Sequence, residues 1–240
     1  MTGADGARNA YARLVLETMP QESKVGLTLG FIRTFGIPAI ATVLHGTGRM
    51  TTDPRARGKA TGAAMFALIE HGPQSAEGRR VVAELRRIHD RPGITPELMH
   101  YVLACFTVCP LRFIDAHGPR AVGEAERDAA HAFQLALADA LGLPEPPGGD
   151  LAGVARWMAE VESRDFAPSP EGRALWAATG GLLANRLPGP LAPLAPAVAA
   201  TLLDGPLRAA LGVRRPGAPV RLLVGLALRA RARSGRRGRP

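Results

Sequence analysis

Aromatic side chains are scarce in this chain, at 5% of its residues, and runs of β-branched residues are scarcer still. Strands draw on both kinds, so their shortage argues against a sheet-based fold. Alanine and leucine, strong helix formers, dominate an ordinary 46% apolar share. There are two cysteines, Cys105 and Cys109, four residues apart. On a helix that spacing puts them on one face but makes a mutual disulfide geometrically poor, so both are expected as reduced core thiols. Several catalytic signatures are missing too: no GxGxxG, no P-loop, no HExxH, no GxSxG and no CxxC. No dense His/Cys spacing indicates a structural zinc.

Long apolar runs are also missing. Residues 1–22 mix charges and show no apolar h-region, which leads to the expectation of a cytoplasmic protein. The longest uncharged stretch, Leu187–Leu203, contains four prolines and falls short of the ~20 apolar residues that span a bilayer.

The net charge of +9 is unevenly placed. Ten of the 30 basic residues lie from Arg208 onward, and no acid follows Asp204; the 20 that remain face 21 acids. The charge divides the chain into a near-neutral body, residues 1–207, and an arginine-rich segment, residues 208–240. A basic terminus is attracted to anionic surfaces, of which a phospholipid membrane is the one expected here and nucleic acid is not.

Helix boundaries are legible from capping residues followed by proline or glycine. Asp53-Pro54 opens a helix that Gly72-Pro73 ends. Ser75 caps the next, which stops at Arg91-Pro92-Gly93, and Thr95-Pro96-Glu97 opens a third that must kink or break at Pro110 and continues to about His117-Gly118. Further helices are predicted over 123–141, from Asp150 to about Arg164, and from Ser169 onward. Residues 220–233 set leucines among arginines, the pattern of a basic amphipathic helix.

Among six histidines, one falls in a constellation. Arg57 and Thr61 share a face of the Pro54–His71 helix, and His89 ends the next helix, whose apolar face should pack against it. An imidazole for iron, beside an arginine and a hydroxyl for propionates, is what a haem pocket requires. His45, His71, His100 and His117 are expected at the surface or at helix ends, and His131 is the one candidate for a second, distal group. Arg33 is read as either a buried charge that needs a partner or a surface residue at a helix end. Arg112 and Arg120 are expected in ion pairs or on a propionate.

An ordered set of segments then carries a resemblance: residues 31–40 (FIRTFGIPAI), Thr47-Gly48, Arg57 with Thr61, Arg86-Arg87-Ile88-His89, Tyr101-Val102-Leu103, residues 110–113 (PLRF), and Arg120 with Glu124. From about residue 31 to about residue 166 the chain resembles the MpaB-type oxygenases, the family that includes the rubber oxygenases. The resemblance implies an all-α, globin-like multi-helix bundle. It also implies haem b as cofactor and O2-dependent cleavage of a C=C bond in a hydrophobic, isoprenoid-type substrate. Carried over by position, His89 is the proximal iron ligand, and Arg57 with Thr61 lines the haem pocket. Ala60 stands where the rubber-cleaving branch has a lysine and the MpaB branch tends to have an acid, and Cys109 precedes Pro110 where an acid is frequent. The alternative reading is a non-enzymatic lipid or hydrophobic-ligand binding protein attached to membrane through its basic C-terminus.

Overall fold

The computed structural model describes residues 10–182 and 194–237. The first half of the Leu187–Leu203 stretch and the last three residues of the arginine-rich tail lie outside these. The described residues form helices joined by turns and short loops, with no strand among them, so the fold is an all-α bundle. A π-helical turn, Leu14–Thr18, leads into α1 (Pro20–Arg33); a 3-10 turn, Thr34–Gly36, leads into α2 (Pro38–Gly46). Then follow α3 (Arg49–Thr52), α4 (Pro54–His71), α5 (Ala76–His89), α6 (Pro96–His117) and α7 (Glu124–Leu141). The chain continues with α8 (Leu151–Asp165), α9 (Pro170–Thr179), α10 (Ala195–Leu202), α11 (Gly205–Leu211) and α12 (Ala218–Arg237).

Every N-cap expected from the sequence is made. Asp53, Ser75, Thr95, Asp150 and Ser169 each accept the backbone N–H three residues on, from Ala56, Gly78, Leu98, Gly153 and Gly172, at 2.6–3.3 Å. Each satisfies an N–H that the first turn leaves orphaned, worth about 1 kcal/mol. Asp204 does the same for Leu207 at the start of α11. Gly72 ends α4 at φ +77°, a conformation that a residue with a Cβ rarely adopts.

α6 is the axis of the bundle. It is long and apolar enough to cross a membrane by length and composition, yet 78% of that apolar window is buried against its neighbours, as in the core helix of a globular protein. α1 lies closest to it: Gly26 faces the backbone of Pro110, and a Cβ on Gly30 would sit 2.5 Å from the Cys105 carbonyl oxygen. Helices approach this closely only where one side lacks side chains. Phe31 stacks on Phe106 across the crossing and meets Phe35 edge-on. The two cysteines are free thiols on α6, Cys105 buried and Cys109 half-buried, as expected.

Beside the crossing sits a buried ionic group. Arg33, at the end of α1, holds the Glu162 carboxylate of α8 with two hydrogen bonds of 2.5 Å and reaches Asp204 at 2.6 Å. Tyr101 of α6 donates to Glu162 at 3.1 Å, and the Arg33 guanidinium lies 5.5 Å from the Phe166 ring centre. Of the two readings open for Arg33, the buried charge with partners is the one found: its side chain is 14% exposed and that of Glu162 is 9%.

Candidate functional site

The inward stripe of α4 changes character along its length. By the 3.6-residue period, Arg57, Gly58, Thr61, Gly62, Met65, Leu68 and Ile69 share one face. The C-terminal half of that face is filled: Met65, Leu68 and Ile69 are buried in the main core. The N-terminal half is open among the described residues. Among the described residues a Cβ on Gly62 would meet nothing within 4 Å, and one on Gly58 would only touch the Leu182 side chain at 3.6 Å.

Polar groups gather at this open end. The Arg57 guanidinium donates to Thr61 Oγ1 at 2.9 Å, and that hydroxyl also bonds the Arg57 carbonyl at 3.1 Å, so the pair is fixed on one turn. The return of the chain through Gly72–Ser75 lays α5 against α4 and brings its last residue, His89, to the same end. The ring is half-buried, and its Nδ1 lies 2.7 Å from the Leu85 carbonyl oxygen. A carbonyl only accepts, so Nδ1 carries the proton and Nε2 keeps its lone pair. Metal-bound histidines are oriented by the same kind of hydrogen bond.

The electrostatics of this end are one-sided. Burial pushes the His89 imidazole below its ordinary 6.5; the Leu85 hydrogen bond opposes this, and the charges of Arg57 and Arg91 push it down further. Burial and then Arg49 lower the Arg57 guanidinium in turn. Among the described residues no carboxylate forms an ion pair with Arg57 or Arg91. A half-buried arginine without a protein counter-charge is a ready acceptor for an anionic ligand group.

The structure therefore brings His89, Arg57 and Thr61 to one end of the α4–α5 pair, as the sequence spacing proposed. Arg91 and Arg49 join them, and their signal in the sequence was only their flanking position. The other candidates separate. Arg120 pairs with Glu126 at 2.6 Å, and Arg112 is exposed with a hydrogen bond to the Ala155 carbonyl. His131 is half-buried on α7, His45 is half-buried at the end of α2, His71 is exposed at the end of α4, and His117 packs on Phe113. His100, expected at the surface or a helix end, is buried in α6 instead, with 4% exposure. α6 is apolar on nearly every face, so its periodicity does not mark which residues point outward. No group of three or more His, Cys, Asp or Glu side chains that could hold a metal ion forms among the described residues. A haem iron asks for one protein imidazole, which leaves His89 sufficient.

Three imidazoles, those of His89, His100 and His117, are pushed below the ordinary 6.5 by burial. For His100 the nearby Pro144 carbonyl works in the opposite direction. Below about pH 6.5 the unfolded chain then binds more protons than the folded one, so stability is full above that pH and is lost as pH falls. The melting temperature is expected to drop from about pH 7 to about pH 5, with a shallower drop in His100→Gln. Thermal unfolding across that range checks this, and a flat wild-type profile would contradict it.

The family described as "ER-bound oxygenase mpaB/B'/Rubber oxygenase, catalytic domain" matches residues 24–233. The ER-bound oxygenase mpaB' of Penicillium brevicompactum is 29% identical over 202 residues, 77% of this chain and 48% of the fungal protein. The ER-bound oxygenase mpaB of the same organism is 32% identical over 177 residues, 66% of this chain and 45% of its own length. That of Penicillium roqueforti (strain FM164) is 28% identical over 196 residues, 75% of this chain and 66% of its own length. The chain thus spans about half the length of the first two relatives.

Proposed function

The chain belongs to the family of ER-bound mpaB-type oxygenases and rubber oxygenases, and from that premise we propose that it is an O2-dependent oxygenase. We assign it a haem b held by His89, and a hydrophobic, isoprenoid-type small molecule as the substrate whose C=C bond is cleaved. The observation that carries the reading is the open end of α4: among the described residues, bare glycines with space beside them, an imidazole whose Nδ1 is held by a carbonyl, and cations with no ion-pair partner. These residues fit the group. His89 Nε2 is the donor for iron, and its depressed proton affinity keeps it neutral near pH 7. Arg57, fixed by Thr61, is placed to pair with propionates, and Arg91 adds positive charge. A bound haem supplies redox-active iron for O2 chemistry. The residues of the chain bind and orient it, and the buried Met65, Leu68 and Ile69 close the following turns of the same face with packed core.

The test is optical. Purified protein titrated with hemin should develop an intense Soret band, and His89→Ala should lose it. Arg57→Ala should weaken haem binding by about 10- to 100-fold, the range for one hydrogen bond to a charged group. Gly62→Leu should weaken binding without lowering the melting temperature of the haem-free protein, because among the described residues a Cβ there meets nothing within 4 Å and leucine is the better helix former. A wild-type protein that stays colourless, or a His89→Ala variant with an unaltered band, overturns the assignment; the colourless result favours a carrier of hydrophobic ligands.

A further inference from the structure

α12 leaves a face uncovered that the bundle does not need. Its inner side is anchored: Ala232 is buried, Arg231 pairs with Glu22 at 3.1 Å, and Gly235 lies against Pro119. On the opposite side Leu222, Leu223 and Leu226 are 61%, 66% and 50% exposed. Of the other large apolar side chains described, only Leu135 and Leu194 are comparably open, and they lie on different helices. Three leucines on one helical turn and the next make a continuous apolar stripe, which a folded protein normally buries.

The charges beside the stripe select what would cover it. Arg229 and Arg233, one turn apart, border the leucines and line one wall of a groove of ≈330 Å³, whose other wall is formed by His117, Pro119 and Arg120 at the end of α6. The remaining charges there are already matched, since Arg120 pairs with Glu126 and Asp115 with Arg127. Among the described residues neither Arg229 nor Arg233 has an ion-pair partner. Leucines flanked by unpaired arginines on a helix docked flat along the body match the boundary layer of an anionic bilayer, apolar below and negatively charged above.

We propose that α12 is a membrane-docking face, with Leu222, Leu223 and Leu226 entering the acyl boundary and Arg229 and Arg233 engaging anionic lipid headgroups at the groove. The proposal does not depend on haem or on His89. Membrane docking would bring the body to the phase in which a hydrophobic substrate dissolves.

Full-length protein is tested by co-sedimentation with vesicles of phosphatidylcholine alone and of phosphatidylcholine mixed with phosphatidylglycerol. Wild type should bind the mixed vesicles more tightly. Replacing Leu222, Leu223 and Leu226 by serine should weaken binding by about tenfold for each leucine removed. The pair Arg229→Glu and Arg233→Glu should abolish the preference for phosphatidylglycerol. All of these residues are exposed, so circular dichroism should show the same helix content in every variant. Failure of wild type to bind either vesicle overturns the proposal, as does binding that the serine variant retains in full. Two further results overturn it: a wild-type dimer in vesicle-free solution that the serine variant dissolves, which makes a second copy the occupant, and tighter binding to duplex DNA than to vesicles.

Discussion

Replacing Arg33 by leucine is expected to destabilise the fold by about 3–5 kcal/mol, the range found when one partner of a buried ion pair is removed. For a chain of this size that corresponds to a fall of roughly 6–20 °C in melting temperature. The loss comes from Glu162, whose side chain is 9% exposed and accepts both hydrogen bonds from the guanidinium. Without Arg33 the carboxylate keeps only the Tyr101 hydroxyl at 3.1 Å as a donor among these partners. Asp204 contributes little to the loss, because its side chain is 44% exposed and water replaces the arginine. The double variant Arg33→Met with Glu162→Met should regain most of the stability, since a buried pair exchanged for apolar side chains is often neutral. Urea unfolding of wild type, Arg33→Met, Glu162→Met and the double variant closes the cycle. A single-variant cost under about 1 kcal/mol, typical of a surface pair, would show that Arg33 is not holding the junction.

Arg33 also shows where sequence reading runs out. Its partners lie 129 and 171 residues away, and no periodicity announces a pair over that distance. Local signals fared differently. Asp53, Ser75, Thr95, Asp150 and Ser169 were legible as caps because a cap and its target are three residues apart. Arg57 and Thr61 were legible for the same reason, being one turn apart, and His89 followed because the Gly72–Ser75 connection is too short to send α5 elsewhere. The open space beside Gly62 among the described residues was not legible: a glycine in a helix reads as weakness until its surroundings are seen to leave room beside it. His100 failed for a related reason, since a helix that is apolar all round gives no clue to which turn meets the 142–150 loop. The leucines of residues 220–233 were visible as amphipathic, but only the packing of Ala232 and Arg231 identifies which face stays open.

The glycines of α1 reverse the usual helix rule. Gly→Ala inside a helix normally gains up to ~1 kcal/mol, because alanine loses less backbone freedom on folding. Gly30→Ala is expected instead to cost about 1–3 kcal/mol, the price of overpacking a tight contact. The new Cβ would lie 2.5 Å from the Cys105 carbonyl oxygen and 3.3 Å from the Cys109 Cβ, and the first of these is backbone in the central helix that cannot rotate away. Gly26 meets the backbone of Pro110 in the same way, so the two glycines together set the separation of α1 from α6. Gly62→Ala is the matched control: it lies in a helix with open space beside it and should gain the ordinary increment. Urea unfolding of both variants should therefore give opposite signs, and a stabilised Gly30→Ala would contradict the close crossing. The same crossing positions Arg33 three residues farther along α1. Pushing α1 outward at Gly30 should loosen the grip of Arg33 on Glu162, so the costs of Gly30→Ala and Arg33→Leu should sum to more than the cost of the double variant.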